Sequence, residues 1–340
     1  MNKLNSNIIA FKAIAIILVV FIHVSNGIKQ LDYNSDQRFN VLYILLQASL
    51  FAVPVFFFLS GYLSFLNRKL FTWDLFLKPK MIRILFPYLL WSLFSYLVLY
   101  RIYEPLVLVE GLLLAKASGP YYFIFVLFFF LLVSPIINSL LSDKMLVLIG
   151  VVNFLFILFV CYLRVVTEDF KWQWAALHPL SWIFYFFFGA YIGKFGKGVF
   201  ENLKLKWAAL LVLFTFLLSV FEGYVVLSVT GLYWGGSSIK ASSFFYSTSV
   251  LIFFVCLLDK KIQWNPVFLF LGSASFGIYL IHEIFRYRVE KLLDRIVLYV
   301  DHPYLYSFFD LMLTVLCSVV LIVVVRSILG FKRASKYLGF

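Results

Sequence analysis

The stretch Ile8-Ile9-Ala10-Phe11-Lys12-Ala13-Ile14-Ala15-Ile16-Ile17-Leu18-Val19-Val20-Phe21-Ile22-His23 decides the fold class. It is an apolar run interrupted only by Lys12 and His23. Such a run reads as a membrane-spanning helix. An ionisable side chain inside a span is costly enough to mark a functional site. Lys12 and His23 are eleven positions apart. At about 100° per residue that separation is about 1,100°, three full turns plus about 20°. Both side chains therefore share one helix face, about 16 Å apart along the axis. The spacing predicts a polar track through the membrane. Its competitor is a pair of separate roles, with Lys12 snorkelling to the interface and His23 hydrogen-bonded to a neighbouring helix.

The rest of the chain agrees with a membrane location. Of 340 residues, 64% are hydrophobic and only 13% charged, against about 25% charged in soluble domains. Apolar runs recur near 8–27, 41–66, 84–103, 120–141, 145–163, 179–197, 206–228, 241–258, 266–285 and 306–328. The fold expected is an all-α integral membrane bundle of about ten transmembrane helices, since helices satisfy their own backbone in lipid. No linker divides the chain, so residues 1–340 read as one domain. The first span reads as retained and not as a cleaved signal peptide, for no small-residue cleavage site follows it. No internal repeat is visible, which argues against an inverted-repeat transporter.

The net charge of +13 reports topology and not nucleic acid. With the N-terminus in the cytoplasm, the larger share of Lys and Arg falls on the cytoplasmic side. It includes Lys3, Arg68, Lys69, Lys78, Lys80, Arg83, Lys144, Lys194, Lys197, Lys204, Lys206, Lys260, Lys261, Arg326, Lys332, Arg333 and Lys336. The smaller share, with Lys29 and Arg38 among it, falls outside. Both termini are then cytoplasmic, in a multi-pass protein of the cell membrane. The three cysteines lie inside apolar spans. They show no metal-ligand spacing and no disulfide framework, so no metal is expected.

Other motifs stand out. Lys78, Lys80 and Arg83 gather three positive charges at a helix start, suited to a phosphate-rich ligand or to ordinary positive-inside charge. Pro87 follows and would kink its helix. Ser60-Gly61 permits close helix approach. Ser60 lacks a neighbouring base, so packing is its expected role. The run Gly272-Ser273-Ala274-Ser275-Phe276-Gly277-Ile278-Tyr279-Leu280-Ile281-His282-Glu283 combines small residues with two ionisable ones. Glu222 and Asp310 also fall near outer span ends. Ser60, Glu222, His282, Glu283 and Asp310 are therefore candidate cavity or acceptor residues.

In order, these pieces resemble the acyltransferase type 3 family of integral membrane O-acyltransferases. Lys12, ten residues and His23 match that family's Arg, ten residues and His. Phe57-Phe58-Leu59-Ser60-Gly61, Lys80-x-x-Arg83 with Pro87-Tyr88, Gly119-Pro120-Tyr121-Tyr122-Phe123 and Ser275 to His282 are similar to its later motifs. The resemblance implies transfer of an acyl group, usually acetyl, from cytoplasmic acyl-CoA (acetyl-CoA) to a hydroxyl of a cell-surface or exported glycan. It implies that His23 is the catalytic base, that Lys12 takes the place of the family's conserved Arg in the catalytic site, and that Lys78, Lys80 and Arg83 engage the donor. Lys for Arg at positions 12 and 80 keeps the charge but loses the planar fork. The additional extracytoplasmic domain of some members is not expected here. The competing expectation is an exporter or flippase of a polysaccharide or lipid-linked sugar, using the same cavity without chemistry. Expected partners are the lipid bilayer, acyl-CoA and a glycan acceptor. The sequence carries no sign of oligomeric state.

Overall fold

A computed structural model of the chain describes residues 6–24, 41–66, 71–167, 170–230, 233–296 and 303–340. Lys3, Lys29, Arg38, Arg68 and Lys69 of the loop-charge pattern lie outside the described residues, as does the expected end of the first span near residue 27. The described residues are helical, with no strand among them. The principal helices are α1 (Ser6–Val24), α2 (Val41–Ser49), α3 (Ala52–Phe65), α4 (Lys78–Phe94), α5 (Pro105–Leu113), α6 (Tyr122–Leu140) and α7 (Asp143–Val166). There follow α8 (Trp172–Leu177), α9 (Ile183–Phe195), α10 (Leu205–Thr230), α11 (Ala241–Leu257), α12 (Pro266–Leu293), α13 (Pro303–Leu329) and α14 (Phe331–Tyr337). Eight helical segments are long and apolar enough to cross a membrane, and α9 and α11 are shorter apolar helices. Together they correspond to the ten expected spans.

Local chemistry explains where the elements differ from expectation. The 41–66 span is broken at Leu50-Phe51 into α2 and α3. Pro54 has no N–H for the Leu50 carbonyl and its ring would clash there. The helix expected from residue 84 begins earlier, as a π turn at Trp73–Leu77 that leads into α4. Lys78, Lys80 and Arg83 lie on the first turns of α4, in keeping with the helix start expected there. Pro87 sits inside α4 without interrupting it, and a second π segment, Ser95–Tyr100, continues the span. The helix expected to end near residue 285 runs to Leu293. His282 and Glu283 are thus well inside α12 and not at its end.

Two helix crossings are closed to backbone contact by glycine. On α3 and α9, a Cβ on Gly61 would stand 1.9 Å from the Phe186 carbonyl oxygen, and one on Gly189 would stand 1.9 Å from that of Phe58. Where α1 crosses α12, a Cβ on Gly272 would stand 1.8 Å from the Ile9 carbonyl oxygen. In lipid, where hydrophobic exclusion of water does not drive helices together, small residues that admit dispersion contact hold them. Phe57 anchors the centre, against Phe123, Phe130 and Trp182.

Polar contacts tie the ends on one face together. The Asn7 amide donates to the carbonyl oxygens of Leu257 (2.7 Å) and Lys260 (2.8 Å) and accepts from the Trp264 indole (2.8 Å). Lys197 pairs with Asp259 at 2.5 Å. Arg326, near the end of α13, donates to the Ser273 carbonyl oxygen at 3.4 Å. The start of α1 and the end of α13 therefore share a face. After α13 the chain turns at Gly330, whose φ of 73° favours glycine, and folds back onto α4. There the Trp91 indole donates to the Leu338 carbonyl oxygen at 3.1 Å and Phe340 stacks on the same ring.

Gly189→Ala and Gly272→Ala are each expected to destabilise the protein by at least about 1–3 kcal/mol, the range for overpacking a tight site. Gly119→Ala, whose Cβ would meet nothing within 4 Å, is expected to match the parent protein. Thermal unfolding of detergent-solubilised protein measures all three, and equal midpoints would refute the role of the crossings.

Candidate active site

α1 is apolar on every side, so its neighbours decide what its two ionisable residues meet. They meet a cavity. Lys12, Val19 and His23 line one wall of a space of about 180 Å³. The opposite walls come from α3 (Val53, Phe56, Leu59, Ser60, Leu63), Ile84 of α4, the start of α6 with Pro120, Tyr122, Phe123 and Leu127, and α12 with Ser275, Phe276 and Tyr279. The face predicted from helical spacing is thus the face turned to the cavity. Ser60 and Gly61 divide their roles. Gly61 packs on α9, while Ser60, about 100° further round the helix, faces the cavity.

At the far end of the track, His23 meets an acid from α12. Its Nδ1 is 3.5 Å from Glu283 Oε1, with both side chains about four-fifths buried. The contact is long for a hydrogen bond. His282, fully buried, places Nε2 3.8 Å from the same oxygen, and the two imidazole rings are 5.4 Å apart between centroids. The Arg286 guanidinium holds Glu283 through three contacts of 3.0–3.2 Å to its two oxygens, and donates to Glu290 at 2.7 Å. A guanidinium fork of this kind fixes both the position and the negative charge of a carboxylate. Asp310 lies fully buried on α13, accepts from the Thr314 hydroxyl at 3.0 Å, and interacts electrostatically with Glu290, Arg286 and Glu283.

At the other end, Lys80 donates to the Ser64 hydroxyl at 2.6 Å and lies over the Phe76 ring. It stands one turn before Ile84, which lines the cavity. Lys78 and Arg83 are exposed, and Lys78 pairs with Asp74 at 3.9 Å.

Glu222 belongs elsewhere. It accepts from the Ser242 N–H at 2.7 Å and pairs with Lys240 at 3.8 Å. The fully buried Lys240 ammonium also donates to the Ser219 carbonyl (2.8 Å) and to the hydroxyls of Ser219 (2.8 Å) and Ser242 (2.9 Å). This second polar cluster fastens α10 to α11, and its donors are matched by acceptors, as a structural network requires.

Sequence reasoning did not single out Arg286, Glu290 or Lys240. The signal for the first two was present as Glu283-x-x-Arg286-x-x-x-Glu290, an i,i+3 and i,i+4 charge ladder on one helix face. Nothing in the sequence joined α1 to α12, so His23 had no visible partner.

The acyltransferase domain family model matches residues 5–329. Relatives from Staphylococcus aureus strains Mu50 / ATCC 700699, MSSA476 and NCTC 8325 / PS 47 are each 28% identical over 308 residues, covering 84% of this chain and 83% of the relative. Each of these proteins is described as a probable poly-beta-1,6-N-acetyl-D-glucosamine export protein. No solved structure matches the chain. With the family model spanning nearly all of its helices, the chain belongs to the acyltransferase domain family and is a multi-pass membrane acyltransferase.

Proposed function

We propose that the protein transfers an acetyl group from acetyl-CoA to a hydroxyl of a cell-surface or exported glycan, with His23 as general base. The observation that carries this reading is the His23–Glu283 contact at one end of a cavity whose other end holds Lys12. Glu283 faces His23 Nδ1, which keeps the ring hydrogen there and leaves Nε2 for the base role. The acceptor oxygen attacks the thioester carbonyl carbon while its proton passes to Nε2. The carbon–sulfur bond then breaks, and the proton is returned to the departing CoA thiolate. As imidazolium, His23 is stabilised by the Glu283 carboxylate, which Arg286 keeps oriented. The Lys12 ammonium lies along the track, where it offsets negative charge developing on the thioester oxygen or on sulfur.

The donor enters from the cytoplasm in this reading. The start of α1, the basic first turns of α4 and the end of α13 face that side, with both termini cytoplasmic in the cell membrane. Lys80, with Lys78 and Arg83 exposed beside it, attracts the CoA phosphates. A second reading, export of a polysaccharide without chemistry, is favoured by the descriptions of the staphylococcal relatives. Glycan NMR of cells with and without the gene separates the two. Loss of O-acetyl signals on an otherwise normal glycan supports the enzyme, and loss of the glycan supports the exporter.

In proteoliposomes supplied with labelled acetyl-CoA and acceptor glycan, His23→Ala is expected to lower turnover by about 10²–10⁴-fold, the range for general-base catalysis. Unchanged turnover removes His23 from the mechanism. Lys80→Ala is expected to raise KM for acetyl-CoA by about tenfold with kcat preserved, one charge-assisted contact being worth about 1.5 kcal/mol. A change confined to kcat would contradict a donor-binding role.

A further inference from the structure

His282 has no part in the acyl transfer proposed above, yet it is fully buried beside His23. Its Nδ1 lies 2.8 Å from the Tyr279 carbonyl oxygen and 3.1 Å from that of Ile278. Carbonyl oxygens only accept, so Nδ1 carries hydrogen. Nε2 has no hydrogen-bond partner among the described residues, and stands 3.8 Å from Glu283 Oε1. A lone pair facing a carboxylate oxygen at that distance is repelled unless a proton or a metal ion sits between them. An imidazole that donates one N–H to a backbone carbonyl and offers its other nitrogen is the form in which histidine binds metals.

Two further ligand atoms complete a triad. His23 Nδ1 is 3.5 Å from Glu283 Oε1, and the ligand atoms of His23, His282 and Glu283 all lie within 4.8 Å of one another. Around a tetrahedral ion with bonds of about 2.0–2.2 Å, neighbouring ligand atoms are about 3.3–3.6 Å apart. Glu283 can meet such an ion through Oε1, which also accepts from Arg286 Nε at 3.1 Å, while Oε2 keeps its 3.0 Å bond to the same guanidinium. The Glu290 and Asp310 carboxyls interact electrostatically with Glu283 here, together with the Arg286 guanidinium.

We propose that His23 Nδ1, His282 Nε2 and Glu283 Oε1 form a site for a divalent transition-metal ion such as Zn²⁺, and that the bound ion inhibits acyl transfer by taking His23 Nδ1 from Glu283. With Nδ1 ligated, the ring hydrogen resides on Nε2, which can no longer accept the acceptor's proton. The inhibitory half rests on the acyl-transfer reading, and the ligation does not.

The test uses the full chain purified without a polyhistidine tag, stripped with a chelator and titrated with Co²⁺ or Zn²⁺. One equivalent is expected to bind, with Co²⁺ giving visible absorption of nitrogen and oxygen coordination. X-ray absorption of the Zn²⁺ form is expected to show two imidazoles and no sulfur. His282→Gln is expected to weaken binding by at least about 100-fold. His178→Ala, a histidine stacked on Phe156 outside the cavity, is expected to leave binding unchanged. Acyl transfer is expected to fall along the same saturation curve and to return on chelation. Substoichiometric binding, sulfur in the coordination shell or unaltered affinity in His282→Gln overturns the site, and the X-ray absorption result decides if that variant does not fold. Binding with unchanged or raised activity overturns the inhibition. Undiminished turnover of chelated His23→Ala counts against the acyl-transfer reading alone, because the cobalt spectrum is independent of turnover.

Discussion

The backbone contact between α1 and α12 is the constraint on which the rest depends. Gly272 lets the two helices approach at the Ile9 carbonyl. From that crossing, α1 rises fourteen residues to His23 and α12 rises eleven to Glu283, about 21 Å and 17 Å of helix respectively. The two run in the same direction, so one small-residue contact sets the register of the His23–Glu283 pair. A wider separation at the crossing would be carried along both helices and would part the imidazole from its carboxylate. The site is therefore positioned by packing about three to four turns away as much as by its own hydrogen bonds.

Electrostatics imposes the second constraint. An isolated carboxylate at this depth would be strongly destabilised. Glu283 is tolerated because Arg286 meets both of its oxygens and two imidazoles stand beside it. The arrangement gives His23 a fixed anionic partner and leaves the neighbouring Glu290 and Asp310 to share the same guanidinium field. Lys240 and Glu222 solve the same problem differently. There the ammonium is surrounded by hydroxyl and carbonyl oxygens between α10 and α11, and the pair holds a helix contact together away from the cavity. Two buried ion-pair clusters thus serve different ends, and the distinction is whether the cluster reaches the cavity wall.

Much of this was legible in the chain. The apolar runs anticipated the spans because each helix must satisfy its own backbone in lipid. The eleven-residue gap anticipated a shared face for Lys12 and His23 because helical periodicity is local. The break before Pro54 was not anticipated, because the apolar pattern runs unbroken through it. Glu222 and Asp310 looked equivalent in sequence, as acids near span ends, but one pairs with Lys240 and the other joins the Arg286 cluster. Ser60 and Gly61 likewise read as one packing motif, yet they point in different directions.

The sequence by itself determined that this is a helical membrane protein, which residues each span carries and which of them share a face, since these follow from hydropathy and a fixed rise and turn per residue. Only the tertiary structure decided that Glu283 is the acid beside His23, that Arg286 restrains it and that His282 turns its free nitrogen toward both. Those choices depend on which helices touch and in what register. In lipid, that is set by close-packed contacts such as Gly272 on Ile9, whose partner lies far away along the chain.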